Sequence, residues 1–331
     1  MRLHLVFLAA FLGAVPQVVQ GLRRLGRTLP HTRRTMNLRA VPAISFFMAG
    51  GLSCMVSHAA AVPLDVLKTR QQTSTGAISL RNLVNEEGLG VLAVGLSSTV
   101  AGYAVHGSLK FGFYEFFKTQ LTDETQPPLV LLMSSALAAE FIASVFLTPF
   151  EAARIRLVSD PEFADGLVGC WLRISAQEGS ARLFYGFPAI LAKHGPGTVL
   201  QLTTFEALSS ALSETMESRT AIVLIAGLCS AVLATLASQP GDCLLTAINA
   251  KSIASLAPPT AAATSTTTIS TAKGDTSVSV IDLMRATIRE LGLRGLFRGT
   301  KERLLHVAVI VVIQLSIYDS IKASLGIALG H

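Results

Sequence analysis

The sequence predicts an all-α membrane protein in which six transmembrane helices form three parallel repeats around a pseudo-threefold axis. Composition is the first reason, because half of the 331 residues are hydrophobic and only 15% are charged, too few polar groups to cover a soluble protein. Second, six apolar stretches approach the roughly 20 residues that span a bilayer. Third, a proline–acid motif recurs at intervals of roughly ninety residues, which indicates a repeated structural unit.

The six apolar stretches define the predicted transmembrane helices. Each is interrupted by polar residues, which are costly against lipid and are therefore expected to face a shared interior. A polar loop and a short amphipathic helix follow the first span of each repeat, which adds three short helices on one side of the membrane. The predicted spans are 41–67, 91–118, 129–156, 187–210, 220–248 and 302–323.

The repeats are expected at residues 40–125, 126–215 and 216–325. An Ala/Thr/Ser-rich insert at 252–279 interrupts the third repeat. It has few groups able to pack and is therefore predicted to be a disordered loop. Residues 1–38 are expected to lie outside the fold, as a targeting presequence that is cleaved or disordered.

The N-terminal segment has the composition of an organellar presequence. It is rich in arginine, and no Asp or Glu occurs before Asp65, a pattern typical of mitochondrial targeting. The apolar run from Leu5 to Val15 leaves two other interpretations open. One is a two-part signal that leads to a plastid envelope, and the other is a segment that stays attached to the mature protein.

Each odd-numbered span ends in a proline followed by an acid and, in two of three copies, by a base. The prolines are expected to kink the spans and let them converge on the axis of the bundle. The even-numbered spans end in a second motif, an aromatic residue, an acid and, again in two copies, a base. Acid–base pairs at the two ends would form two rings that close a central cavity alternately. The kink residues are Pro63, Pro149 and Pro240, and the second ring comprises Glu115, Lys118, Glu206, Asp319 and Lys322.

The first ring is predicted to contain one acid that lacks a base. Asp65 is expected to pair with Arg154, and Asp242 with Lys68, since each acid would meet the base of the next repeat. Glu151 would require a base at position 245, where the sequence has leucine. A carboxylate without a partner in a partly dehydrated cavity resists ionisation, so Glu151 is predicted to take up and release a proton.

Helical spacing extends this predicted proton pathway. Glu140 precedes Glu151 by about three helical turns, so both carboxylates share one face. His58 precedes Asp65 by about two turns and shares a face with it in the same way. The predicted relay therefore contains His58, Asp65, Glu140, Glu151 and Asp242. The alternative for His58 and Glu140 is a structural hydrogen bond between packed helices.

An anion in the cavity requires fixed positive charge at mid-depth. Lys110, Lys193 and Arg303 are the candidates, and a guanidinium can bind an oxyanion through two parallel hydrogen bonds. Gln314 is expected on the same helical face as Arg303. Lys193 and Arg303 could instead extend to the membrane interface. His106 lies one turn before Lys110 and is either a further donor or a cap for a neighbouring polar group.

These motifs, together with the Glu-Gly ends of the short helices, resemble the mitochondrial carrier family over residues 40–325. Within that family, segments 57–65, 107–115 and 138–156 are similar to the phosphate-transporting branch. The resemblance implies import of inorganic phosphate with a proton, as symport or as exchange for hydroxide, by alternating access in the mitochondrial inner membrane. It also implies that the first ring is a matrix gate and the second a cytoplasmic gate, in a monomer that binds membrane lipid such as cardiolipin.

One position in the predicted binding site departs from that branch, and one position in the second ring lacks its base. Gln201 stands near the end of the fourth span, where phosphate carriers have a lysine, and Ser209 replaces a base of the second ring. The loss of a cation from the site leaves two alternatives open. The chain could carry a different anion, such as a dicarboxylate, or it could be a carrier-derived membrane adaptor that does not transport.

Other functional classes receive little support from the sequence. The net charge is +6, but no basic cluster is interleaved with aromatic residues, so an anionic substrate or membrane surface accounts for the charge better than nucleic acid does. No nucleophile–base pair, glycine-rich phosphate loop or metal-ligand cluster is recognisable, so no enzymatic activity, cofactor or metal is predicted. The four cysteines show no Cys-x-x-Cys spacing and are expected to be free thiols.

Overall fold

The computed structural model describes residues 43–74, 76, 78–120, 128–250 and 280–324. These residues form helices and the turns that join them, and no strand occurs among them. The predicted all-α class is therefore confirmed. The predictions for residues 1–38 and for the insert at 252–279 lie outside the described residues.

Ten α-helices occur in the described part of the chain, and they follow the predicted order. The first span is built from two helices, α1 (Ala43–Ala60) and α2 (Val62–Thr73). The other five spans are α4 (Leu96–Gln120), α5 (Pro128–Ser159), α7 (Phe187–Ser213), α8 (Arg219–Ala250) and α10 (Thr300–Ser324). The predicted short helices are α3 (Leu80–Glu87), α6 (Gly166–Gln177) and α9 (Val280–Gly295).

Length and hydropathy alone identify fewer spans than the sequence motifs do. Among the described residues, three segments are long and apolar enough to cross a membrane, and the bent pair α1–α2 is a fourth. Helices α7 and α10 are not among these segments. Their place in the bundle follows from packing and from the repeated motifs.

The six spans pack in chain order into a closed ring. Helix α1 lies against α4, α4 against α5, α5 against α7, and α7 against α8. Helix α10 then packs against both α8 and α1, which closes the ring. This closure encloses a central space, so polar residues that would be costly against lipid can point into it.

The prolines act differently in the three odd-numbered spans. Pro63 lies in the first turn of α2, and the chain bends by 64° between α1 and α2. Pro149 and Pro240 lie inside α5 and α8, which continue past them as single helices. The predicted kink is a break between two helices in the first repeat, whereas α5 and α8 contain their prolines without such a break.

Glycines allow neighbouring helices to approach closely. A Cβ atom on Gly50 of α1 would lie 2.6 Å from the carbonyl oxygen of Gly107 in α4. A Cβ atom on Gly241 of α8 would lie 2.6 Å from the backbone carbonyl carbon of Ala192 in α7. The second contact matters for the site, because it brings the residues that follow, Lys193 and Asp242, together.

The second span begins later than the sequence predicts. Residues Leu89–Ala93 form a 3-10 turn, and α4 starts only at Leu96. Gly95 between them has φ +77°, a conformation that residues with a side chain rarely adopt. Its ideal Cβ position is 3.2 Å from the side chain of Arg154, so this turn holds the start of α4 against the first ring.

The apolar core lies at the end of the bundle that carries the proline motifs, here called the proline end. One cluster joins the second and third repeats through Ile155, Ile190 and Ile248. A second cluster joins the first repeat to α5 through Val66 and Val158. Large apolar side chains are also exposed on the surface of the bundle, as expected where helices face lipid. They include Phe141, Phe146, Val232 and Leu305.

Candidate functional site

A central cavity collects seven of the charged residues that the sequence analysis selected. It is lined by all six spans, and four cations face three carboxylates across it. The lining therefore carries a net positive charge before any histidine is protonated. The charged residues are Asp65, Lys68, Lys110, Glu140, Lys193, Asp242 and Arg303, and the histidines are His58, His106, His194 and His306.

Asp242 is the point at which most of these cations converge. The ammonium groups of Lys68 and Lys193 both lie 3.2 Å from its carboxylate oxygens, and the Nε atom of Arg303 lies 3.7 Å away. The amide of Gln72 donates a further hydrogen bond of 2.9 Å. Asp242 is buried. One carboxylate thus faces three permanent cations, which leaves a local excess of positive charge.

Arg303 is held rigidly beside Asp242. Its guanidinium donates to the side-chain oxygen of Gln239 at 3.1 Å and to the hydroxyl of Ser238 at 2.7 Å. Both Arg303 and Lys193 are buried, so the alternative in which they extend to the membrane interface is wrong. Both groups instead point to Asp242 in the interior.

The first ring is closed at the proline end. Arg154 contacts Asp65, and Lys68 links Asp242 to Asp65, which lies 3.3 Å from its ammonium group. These are the two inter-repeat contacts that the sequence predicts. All four side chains are buried, so the ring separates the cavity from the proline end of the bundle.

The prediction that Glu151 lacks a partner is wrong. Arg154, one turn later on α5, lies 2.6 Å from one of its oxygens, and the hydroxyl of Tyr103 on α4 donates to the other at 2.9 Å. The prediction assigned one acid to each base of the first ring. A guanidinium has five donor hydrogens, however, and Arg154 here contacts both Asp65 and Glu151. Tyr103 was missed altogether.

A second cluster surrounds Glu140 at mid-depth. One carboxylate oxygen lies 2.9 Å from Nε2 of His106 and 2.8 Å from Nδ1 of His194. The other oxygen lies 2.6 Å from the ammonium of Lys110. His106 therefore caps a neighbouring polar group, as one of its two interpretations predicts. His194 was not selected from the sequence, although its neighbour Lys193 was.

The clustering of these residues also corrects the expectation that no metal-ligand set would be found. One side-chain ligand atom from each of His106, Glu140 and His194 lies within 4.8 Å of the others. Spacing along the chain could not indicate this set, because its members lie on α4, α5 and α7. They become neighbours only when the three helices pack.

His58 is connected to Glu151 through Tyr103. Its Nδ1 atom lies 2.9 Å from the carbonyl oxygen of Cys54 in the preceding turn, and its ring stacks on Tyr103 with centroids 3.5 Å apart. Since Tyr103 donates to Glu151, these three residues touch in series from α1 through α4 to α5, the first contact being a ring stack and the second a hydrogen bond. The role of His58 as part of a relay stays a prediction.

The remaining predicted residues lie toward the other end of the bundle. Gln201 and Gln314 line the cavity. Lys118 lies 3.4 Å from Glu115 within α4, and Glu206 is partly exposed on α7. The side chains of Asp319 and Lys322 lie outside the described residues. The second ring therefore stays a prediction.

A closed ring of membrane-spanning helices around a charged cavity defines a solute carrier. The chain belongs to the mitochondrial carrier family, because the family model described as "Mitochondrial carrier protein" matches residues 39–125, 124–215 and 217–328. The three matches cover the three repeats. Members of this family are transporters rather than enzymes, which agrees with the prediction that the chain is not an enzyme.

Curated relatives cover nearly the whole chain. Mitochondrial substrate carrier family protein N of Dictyostelium discoideum is 33% identical over 86% of this chain and 95% of its own length. A mitochondrial phosphate carrier protein of Caenorhabditis elegans is 29% identical over 85% of this chain and 80% of its own. A probable mitochondrial phosphate carrier protein of Schizosaccharomyces pombe is 28% identical over 84% and 89%. The predicted resemblance to phosphate carriers is confirmed.

Proposed function

We propose that this chain imports inorganic phosphate together with a proton across the mitochondrial inner membrane by alternating access. The observation that carries the proposal is the convergence of Lys68, Lys193 and Arg303 on the single carboxylate of Asp242. Such a site has positive charge to spare for an oxyanion. The relatives named as phosphate carriers support phosphate as that oxyanion.

Binding of the anion is coupled to the first ring through Asp242. Phosphate that contacts Lys193 and Arg303 supplies the negative charge that these cations otherwise obtain from Asp242. Asp242 then retains Lys68 as its cationic partner across the ring. Since a ligand shifts a conformational equilibrium only through contacts that differ between the two states, this exchange of partners at Asp242 is the contact through which anion binding acts on the ring at the proline end.

A proton acts on the same ring at Glu151, whereas the anion acts at Asp242. Arg154 is shared between Asp65 and Glu151. Protonation of Glu151 removes one of these two carboxylates, so Arg154 is held less strongly and the ring opens more readily. The hydroxyl of Tyr103 lines the cavity and donates to Glu151, so it can pass its proton to that carboxylate and regain one from the cavity, while His58 stacks on its ring beside this route. Asp65, Glu140 and Asp242 complete the proposed relay, and hydroxide exchange would give the same net reaction.

A second candidate function is transport of a different anion. Gln201 lines the cavity at a position where a lysine would add a further cation for a doubly charged phosphate. The Dictyostelium relative is named a substrate carrier without a named substrate. A dicarboxylate would contact the same two cations, Lys193 and Arg303, so the anion must be identified by measurement.

The test is uptake of radiolabelled phosphate into liposomes that contain the purified protein. Uptake should rise with an inward proton gradient and return to its basal rate when a protonophore is added. A parallel assay with a labelled dicarboxylate identifies the second candidate. Correctly inserted protein that moves dicarboxylate but not phosphate would overturn the phosphate assignment, and protein that moves neither would indicate a non-transporting adaptor.

A further inference from the structure

The cluster around Glu140 has more nitrogen ligands than an anion site or a simple ion pair requires. His106 reaches the carboxylate from α4 and His194 reaches it from α7, and both meet the same oxygen atom at 2.9 and 2.8 Å. Lys110 alone already balances the charge of Glu140, at 2.6 Å from the other oxygen. The two imidazoles are therefore additional to charge balance.

We propose that His106, Glu140 and His194 form a binding site for a divalent zinc ion inside the cavity. Two imidazoles and one carboxylate are the ligand set of many three-ligand zinc sites, with the fourth position open. The three ligand atoms lie within 4.8 Å of one another. Zinc ligands at about 2.0–2.1 Å from the metal are roughly 3.4 Å apart in tetrahedral geometry, so side-chain adjustments of about an ångström suffice.

The two histidines can change from hydrogen-bond donors to zinc ligands by moving a proton within each ring. In the present arrangement both ring nitrogens act as donors to the Glu140 oxygen, because a carboxylate only accepts. A neutral imidazole carries one proton and can hold it on either nitrogen. Moving that proton to the far nitrogen of His106 and of His194 turns both near nitrogens toward the metal as ligands, without loss of a proton from either neutral ring.

Two further side chains next to the cluster are compatible with a bound zinc ion, the hydroxyl of Ser144 as a fourth ligand and Lys110 as a cation that can move away. The hydroxyl of Ser144 lies 3.3 Å from the same Glu140 oxygen and 3.2 Å from Nδ1 of His194, so it faces the same point. Lys110 contacts the other oxygen, and its side chain is about one third exposed to the cavity. It can move away from the metal without entering the packed helices.

Zinc at this point would connect three spans. His106 lies on α4, Glu140 on α5 and His194 on α7, and alternating access requires the spans to move relative to one another. A metal that bridges them holds them in one arrangement. Zinc is therefore expected to inhibit transport. A metal ion is not needed for the proposed phosphate transport, so this site would bind a second class of ligand.

The test is a zinc titration of the purified, tag-free carrier, followed by competition with a fluorescent zinc chelator in the absence of phosphate. Wild-type protein should bind zinc with one ion at the cavity site, and Mg²⁺ should not compete. His106→Gln and His194→Gln should each weaken this binding by at least about 10-fold, the scale on which metal sites respond to altered ligand shells. His306→Gln is the matched control, because His306 lines the same cavity but lies outside the ligand set. The zinc affinity of this variant should differ from that of the wild type by less than about 2-fold.

Thermal unfolding without zinc shows which variants are folded, and the two glutamine variants provide independent tests if one of them is not. Equal zinc affinity in wild type and in both ligand variants would overturn the proposal, since any binding would then come from groups outside the cluster. Because the titration requires no transport, its failure would leave the phosphate proposal intact. In liposomes, zinc should inhibit uptake by wild type at concentrations that leave the His194→Gln variant unaffected.

Discussion

Asp242 and Glu140 are two buried carboxylates of one cavity, and their surroundings differ in charge. Asp242 meets three permanent cations, whereas Glu140 meets one lysine and two imidazoles. The first has positive charge to spare and suits an anion. The second is balanced and offers nitrogen lone pairs, so it suits a cation. The same residue type thus serves opposite ligands, because the number of fixed charges around it decides which one binds.

The largest effect is expected from removing the guanidinium beside Asp242. Arg303→Ala should lower phosphate uptake by at least about 100-fold, because two or more charge-assisted hydrogen bonds to the anion are lost, each of about 1.5–3 kcal/mol. Initial uptake rates in liposomes measure this. Lys301→Ala removes an exposed cation from the same helix and should leave the rate nearly unchanged. Equal losses in both variants would show that overall charge matters rather than the Asp242 cluster.

The next effect concerns proton coupling at Glu151. Glu151→Gln keeps an acceptor for the Tyr103 hydroxyl but cannot exchange a proton. We therefore expect gradient-driven net uptake to fall to its basal rate, while exchange of external for internal phosphate continues at a measurable rate. Both rates are obtained from the same liposome preparation. Net uptake that still follows the proton gradient in this variant would exclude Glu151 from the relay.

The Tyr103→Phe variant sharpens this result. It removes the hydrogen bond to Glu151 at 2.9 Å and keeps the aromatic stack on His58. If the Tyr103 hydroxyl passes the proton to Glu151, net uptake should fall by about 10-fold, consistent with the roughly 1–1.5 kcal/mol of such a bond. Exchange should be affected less. A variant with wild-type net uptake would show that the proton bypasses Tyr103.

The smallest effect is expected from adding a cation. Gln201→Lys adds a fifth cation to the cavity lining, where an exposed charge pair contributes about 0.2–1 kcal/mol. The KM for phosphate should therefore fall by about 2–5-fold with little change in kcat, and Gln201→Met is the uncharged control. A KM that rises for phosphate and falls for a dicarboxylate would favour the second candidate function.

The parts of this architecture that the sequence predicts are those that depend on position along one helix. Periodic apolar stretches give the spans, and the proline motifs give the contacts of Arg154 with Asp65 and of Lys68 with Asp242. The parts it misses depend on lateral packing between helices. Tyr103 and His194 reach Glu151 and Glu140 from other spans, and no spacing within a single helix indicates which side chain of its neighbour will arrive there.

The central claim is that anion entry at the Asp242 cluster is linked to proton entry. Its most direct test records labelled phosphate uptake and the internal pH of the same liposomes, with a trapped pH-sensitive dye, after external phosphate is added. The account predicts that the interior becomes acidic in step with phosphate uptake, and that both signals disappear in Arg303→Ala. Phosphate uptake by the wild type with no change in internal pH would contradict it.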